Sequence, residues 1–314
     1  MTSEWAENLI RVTYRYGKGG EQDSCYILIG EEGSVIIDSG IASDGMTKRI
    51  IETLRKYGSE EALPKYLILT HCHFDHIGNA YALKRKFKSL QIAIHEESAE
   101  ILEKGTKGLL SKNFPLQKFS ERVSLALKSS SFSKIQGIKP DIVLKGGEIL
   151  DIGSDKLLIE NTGGHSADHI LIHSFTRKCT FVGDELPIYP NNPYSFYFDI
   201  TGSPNRRSRV LRTLEKIKTN LICPGHIPPI PREAILEYIA ELEAAHNHTE
   251  QVLTEILANS TEVFLFDLAR DLYQVLGIQW QSPYIELKVP ELSCEAFLRQ
   301  MEEKGEVEYN PNSK

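Results

Sequence analysis

Residues 69–80 read LTHCHFDHIGNA. An apolar run ends here, and four side chains able to ligate a metal (His71, His73, Asp75 and His76) follow within six positions. Donors crowded directly behind a strand require a fold whose strand ends open into a sheltered mouth, which is where layered α/β proteins keep their sites. In extended backbone alternate residues share a side. Residues 71, 73 and 75 therefore face one way, Cys72 and Phe74 face the other, and a tight turn can bring His76 back toward a neighbouring ion. Imidazole combined with carboxylate suits Zn, Fe or Mn better than Mg or Ca. A lone histidine would usually be a surface turn residue, but four candidate ligands packed behind a strand seldom occur by chance and point to a metal site.

The surrounding pattern is mixed. Apolar, β-branched runs predict strands at 9–16, 25–30, 35–38, 66–70, 91–95, 157–162, 170–174, 180–183 and 220–224, with EEGS (31–34) as a hairpin turn. Helical periodicity predicts helices at 46–57, capped by Gly58, at 78–87 and at 206–217. The stretch 96–145, with SSSFS at 129–133, reads as a polar, helix-rich surface excursion. IPPI (227–230) breaks regular structure. Beyond it lie helical stretches at 232–258, 264–276 and 294–303, and VEY (307–309) is expected to form a β ribbon. These elements imply α/β layers with meandering strands.

Composition excludes several classes. At 41% hydrophobic and 25% charged, the 314 residues are ordinary for a globular protein. No apolar run approaches the ~20 residues that span a bilayer, and the first residues lack a basic region followed by an apolar one. The expected location is cytoplasmic. The five cysteines (Cys25, Cys72, Cys179, Cys223 and Cys294) are dispersed and form no CxxC pair, which argues against a disulfide framework or a zinc ribbon. Cys72 and Cys223 are expected to point into the core.

The HxHxDH pattern at 71–76 resembles the defining motif of the metallo-β-lactamase superfamily, residue for residue. The later motifs of that family can be found in order: NTGGHSADH (161–169), FVGD (181–184) and ICPGH (222–226). The resemblance covers roughly residues 9–226. It implies an αββα four-layer sandwich over residues 1–226, followed by a small, mainly helical unit at 227–314. It also implies two divalent metal ions, with zinc first and Fe or Mn as alternatives. One ion would take His71, His73 and His165. The other would take Asp75, His76 and His226, with Asp184 bridging the pair. Asp75 and Asp184 then carry the catalytic roles, through a metal-bridging hydroxide. Asp38 and His169 match supporting positions, whereas His95, His173, His246 and His248 are expected at the surface or in packing.

The substrate is less legible, because one such metal core hydrolyses many bonds. The expected class is a small ester, thioester, lactone or phosphoester. The short 184–226 spacing leaves no room for the large inserted domain of the superfamily's RNA-processing nucleases, and HxHxD rather than HxExD separates the chain from the flavodiiron reductases. Candidate substrate contacts are a tyrosine of the aromatic loop 184–199, with Tyr194 the first choice, and Arg206 and Arg207 at a helix start. For each, packing or a solvated basic face is the competing explanation.

The net charge of −7 is uneven: residues 1–226 carry 30 basic against 27 acidic side chains, and residues 227–314 carry 6 against 16. The C-terminal unit resembles the winged-helix-like tail of the β-lactamase-like-protein-2 group in layout. Its negative charge argues against gripping a phosphate backbone, so a lid or a homodimer interface explains it better. A single-strand-specific endoribonuclease on the same metals is the alternative, and a non-catalytic metal-binding regulator is the remaining one.

Overall fold

The computed structural model describes residues 1–16, 21–30, 33–58, 63–112, 134–153, 155–189, 191–260, 262–278 and 283–310. Two sheets lie at its centre. The first runs in order β1 (Thr2–Ala6), β2 (Leu9–Tyr16), β3 (Glu21–Leu28), β4 (Ser34–Ile37), β5 (Pro64–Ile68), β6 (Gln91–His95) and β7 (Ile142–Leu144). Its first four strands are an antiparallel meander, and β4 through β7 are parallel. The second comprises β8 (Ile149–Asp151), β9 (Lys156–Asn161), β10 (Ile170–Ser174), β11 (Cys179–Gly183), β12 (Leu221–Pro224) and β13 (Ile230–Pro231), antiparallel except for the β11–β12 pair. β1, β7, β8 and β13 were not anticipated from the sequence; each is short or lies at the edge of its sheet.

Side-chain alternation builds the layers. In β4, Val35 and Ile37 face the space between the sheets, while Ile36 faces outward. In the second sheet Ile170, Ile172 and Phe181 point to that same inner core, and Leu171, Val182 and Ile222 point away from it. Helices cover both outer faces. On the first sheet lie α1 (Asp44–Tyr57), α2 (Phe74–Ile77), α3 (Ala80–Lys86), α4 (Glu96–Lys104) and α5 (Thr106–Lys112). On the second lie α6 (Pro204–Lys216) and the first half of α7 (Arg232–Ala258). This is the expected four-layer αββα arrangement.

Several expectations need correcting. The helix predicted over 78–87 is α3, which begins two residues later, and a separate short turn, α2, precedes it. Gly78 between them packs so closely that a Cβ there would stand 2.2 Å from Ala42 N. The stretch from 96 is no mere surface excursion. Ile101, Leu102 and Leu109 are buried in the outer core, and 142–144 extends the first sheet. SSSFS and the first half of EEGS lie outside the described residues. Residues 307–309 are irregular rather than a ribbon.

The C-terminal helices share one further core. Val252 and Leu253 of α7, Leu268 and Leu272 of α8 (Leu265–Val275), and Phe297 and Met301 of α9 (Pro283–Glu303) enclose Phe198. α7 therefore contributes Ile235, Ile239 and Leu242 to the sheet's outer core and its last turns to this one.

Candidate metal centre

Every candidate ligand sits just beyond the C-terminal end of a strand: His71 after β5, His165 after β9, Asp184 after β11 and His226 after β12. The structure brings all seven together, all of them buried. His71, His73, His165 and Asp184 form one group with ligand atoms within 4.8 Å of one another; Asp75, His76 and His226 form a second. Asp184 lies between the two. Its Oδ1 is 3.1 Å from His76 Nε2, its Oδ2 is 3.7 Å from His71 Nε2 and 3.9 Å from His165 Nε2, and His226 Nε2 is 3.2 Å from either oxygen.

Hydrogen bonds on the far side of each ring fix which nitrogen faces inward. His165 Nδ1 donates to Tyr197 O at 2.9 Å and His226 Nδ1 to Gln22 O at 3.0 Å; a carbonyl can only accept, so in the neutral ring each Nε2 is left bare. His76 Nδ1 donates to Asp38 Oδ2 at 2.9 Å. Thr70 Oγ1 gives its proton to the Asp38 carboxylate and accepts from His71 Nδ1 at 3.1 Å. His73 is turned round: its Nε2 is 3.4 Å from Asp199 Oδ2, and its Nδ1 faces His165 Nε2 at 3.0 Å. Five imidazoles thus turn a ring nitrogen each toward one small volume, and in their neutral forms those nitrogens are bare. His71 Nε2 is fully buried without a hydrogen-bond partner. Such donors fit divalent cations, since metal-bound imidazoles hold their second nitrogen against an acceptor.

Protein charges divide the cluster. Burial holds His71 and His165 low, the latter down to about 4. Burial also opposes charge on His76 and His226, but the Asp184 carboxylate overrides it and raises both, His226 to about 9. Asp184 is correspondingly held well below the usual carboxylate range: burial favours its neutral form, and His226 and His76 outweigh that.

Asp38 ties two strand ends together. It adopts φ +59°, and Thr70 N donates to its Oδ1 at 2.8 Å. His169 Nε2 accepts from the backbone N of Asp184 at 3.1 Å, which sets the height of that carboxylate. Two glycines clear the space: a Cβ at Gly183 would stand 2.5 Å from His169 Nε2, and one at Gly225 would stand 2.7 Å from Asp184 Oδ1.

The substrate candidates separate. Tyr194 is turned to the C-terminal helices, its hydroxyl 2.9 Å from His248 Nδ1. Tyr197 is the tyrosine at the cluster instead, stacked on His73 with its hydroxyl 3.4 Å from Nδ1. Arg207 is buried, donates to Glu185 O and lies 3.7 Å over the Phe196 ring, so it packs the core and faces no ligand. Arg206, one position earlier, is exposed. Tyr197 belongs to the aromatic loop singled out in the sequence, whereas nothing in the sequence marks Asp199 or Glu185. Glu185 pins the His165 loop by accepting from Thr162 Oγ1 at 2.7 Å and His165 N at 3.3 Å. Cys72 and Cys223 are core residues as expected. His173 bonds Thr180 and Glu160, and His95 caps α4.

Comparison with known proteins agrees with this geometry. The sequence pattern described as the metallo-beta-lactamase superfamily matches residues 19–226. The chain is 23% identical over 254 residues to the protein named acyl-coenzyme A thioesterase MBLAC2 of Bos taurus, and equally to that of Homo sapiens. Each alignment covers 76% of this chain and 87% of the relative. Among solved structures, a metallo-beta-lactamase family protein from Thermus thermophilus superposes with a TM-score of 0.71 at 18% identity, over 97% of this chain and 96% of that one.

Proposed function

The chain belongs to the metallo-beta-lactamase superfamily and is a hydrolase; from that premise we propose that it cleaves a small acyl thioester at a centre of two divalent metal ions, zinc in the first instance. The observation that carries the two-ion reading is the position of Asp184, with a histidine from each group near its oxygens. The thioester is supported by the relatives named as acyl-coenzyme A thioesterases, which align over three-quarters of this chain.

In this reading His71, His73 and His165 would hold one ion and Asp75, His76 and His226 the other, with Asp184 within reach of both groups. Two such cations supply a water of lowered pKa and polarise the scissile carbonyl. The protein's own groups do the rest. Asp75, whose Oδ2 is 3.8 Å from His226 Nε2, accepts a hydrogen bond from the attacking water and orients it. The Tyr197 hydroxyl, at the edge of the cluster, donates to the acyl oxygen as it gains negative charge. Phe196, edge-on to His165, closes that side to bulk water. Residues 1–226 carry this chemistry, and the helices of 227–314 form the wall beside it.

The test is turnover by metal-quantified protein against thioester, lactone, phosphodiester, phosphotriester and single-stranded RNA substrates. Thioester hydrolysis lost on chelation and regained with Zn²⁺ or Mn²⁺ is expected. Cleavage of RNA without any of thioester would replace this reading with the endoribonuclease one.

A further inference from the structure

Behind the loops that carry His165 and Asp199 lies a cleft of about 580 Å³ between the start of α6 and the face of α9. That volume is within the ~300–1,000 Å³ typical of small-molecule sites. Its charged lining is Arg206, Arg209 and Arg299 against the single carboxylate of Glu303. Arg299 is partly engaged, with Gly202 O at 3.3 Å and Glu295 Oε1 at 3.5 Å. Arg206 and Arg209 are exposed and form no ion pair among the described residues. This is a local concentration of positive charge, Arg206 and Arg209 from α6 and Arg299 from α9, where the otherwise strongly acidic C-terminal helices meet α6.

The cleft is built against the metal-centre loops. Thr201 Oγ1, in its wall, accepts from Ala167 N at 2.9 Å, and Ser203 N donates to Gly164 O at 2.9 Å. Gly163, at φ +64°, lies against the Arg206 guanidinium: a Cβ there would be 2.3 Å from Nη1. Arg206 thus lines the cleft with its guanidinium against Gly163, two residues before His165, and it pairs with no carboxylate among the described residues.

We infer that this cleft binds the phosphorylated nucleotide end of an acyl-coenzyme A, with Arg206 and Arg209 as its phosphate contacts and Arg299 closing the far wall. Guanidinium forks match phosphate oxygens in pairs, and the positive end of α6 at Ser203–Arg206 adds to the same field. The inference rests on the thioester reading for the rest of the substrate, while the nucleotide site itself can be measured without turnover.

The experiment uses the full chain and calorimetric titration with adenosine 3′,5′-bisphosphate and, separately, adenosine. Saturable binding of the bisphosphate with one site per chain, absent for adenosine, is expected. An Arg206→Gln/Arg209→Gln variant should weaken it about tenfold or more, and Arg209→Glu alone should do the same. In kinetics, the kcat/KM for a coenzyme A thioester relative to that for an N-acetylcysteamine thioester with the same acyl group should fall by a similar factor. No binding to the natural chain, or binding unchanged in both variants, overturns the site. Tighter competition by a single-stranded RNA oligonucleotide than by the bisphosphate overturns its assignment to a nucleotide-bearing small molecule. If the bisphosphate binds but no thioester is hydrolysed, the proposed function fails and the phosphate site stands.

Discussion

His73 Nδ1 and His165 Nε2 face each other at 3.0 Å, each with its other nitrogen turned to an oxygen acceptor. In their neutral forms two lone pairs point into the same space. Between neutral rings such a contact is repulsive, and a cation makes it favourable, so ion binding and stability are linked here. Removal of metal by a chelator should lower the thermal midpoint and abolish hydrolysis together, both returning with Zn²⁺ or Mn²⁺. An ion present at a hundred times its dissociation constant adds about 2.7 kcal/mol. A midpoint and rate that ignore chelation would remove the metal centre from the account.

Asp199 is the residue that turns His73. Asp199→Asn keeps the shape and withdraws the charge 3.4 Å from Nε2. Metal affinity or activity should fall about 10–100-fold, the usual cost of losing such a partner. Metal content measured alongside kcat separates this from misfolding; a variant with full content and full rate would show that Asp199 has no such role.

Gly225 tests the crowding around Asp184. Gly225→Ala introduces a methyl group 2.7 Å from Asp184 Oδ1 and 2.9 Å from His76 Cε1. A displacement near 1 Å in such a site costs about 100-fold in rate, while circular dichroism should report an intact fold. Wild-type activity in this variant would contradict the packing described here.

Adjacent arginines should behave in opposite ways. Arg207→Ala leaves Glu185 buried and uncompensated, 3.8 Å from where the guanidinium stood, and should destabilise the chain by about 3–5 kcal/mol. Arg206→Ala, at an exposed position, should stay within about 0.5 kcal/mol in urea unfolding. Equal losses would mean that the helix face has been misassigned.

His246 gives stability a pH dependence remote from the metal centre. It packs on Phe297 at 5.4 Å and meets Ser208 Oγ at 3.2 Å, and burial foremost, aided by Arg207, holds it down to about 4. Glu250 and Lys304 also face it, with opposing effects. The folded value lies below the unfolded ~6.5, so the unfolded chain takes up the proton first. Its contribution is complete above pH ~6.5 and is lost as the pH falls toward 4, at up to about 1 kcal/mol per pH unit. Urea midpoints across that window should slope less in His246→Asn; an identical slope would assign the dependence to other groups.

The sequence made the local parts of this centre legible. HxHxDH is contiguous, and each later candidate ligand stands in a short motif behind an apolar strand, so order along the chain sufficed. Asp38 and His169 were recognisable by the same means. Asp199, the Gln22 and Tyr197 carbonyls and Glu185 were not, because they reach the ligands across distant loops and nothing local marks them. That Tyr197 rather than Tyr194 faces the cluster was not legible for a related reason: the five aromatics of that loop carry no periodicity that says which faces inward. The helix at 204–216 did carry such a signal. Arg207 lies on the same stripe as Val210, Leu211 and Leu214, and that spacing already favours burial over ligand contact.

α7 carries Ile235, Ile239 and Leu242 under the second sheet and Val252 and Leu253 into the C-terminal core, as one uninterrupted rod of 27 residues. A lever of this kind cannot tilt at one end and stay still at the other. Anything that grips the last helices is therefore mechanically geared to the strands that end in Asp184 and His226. Cutting the chain where its metal motifs stop would also strip the oily seat beneath Leu171, Val182 and Ile222. The expected product is an insoluble fragment rather than a smaller enzyme.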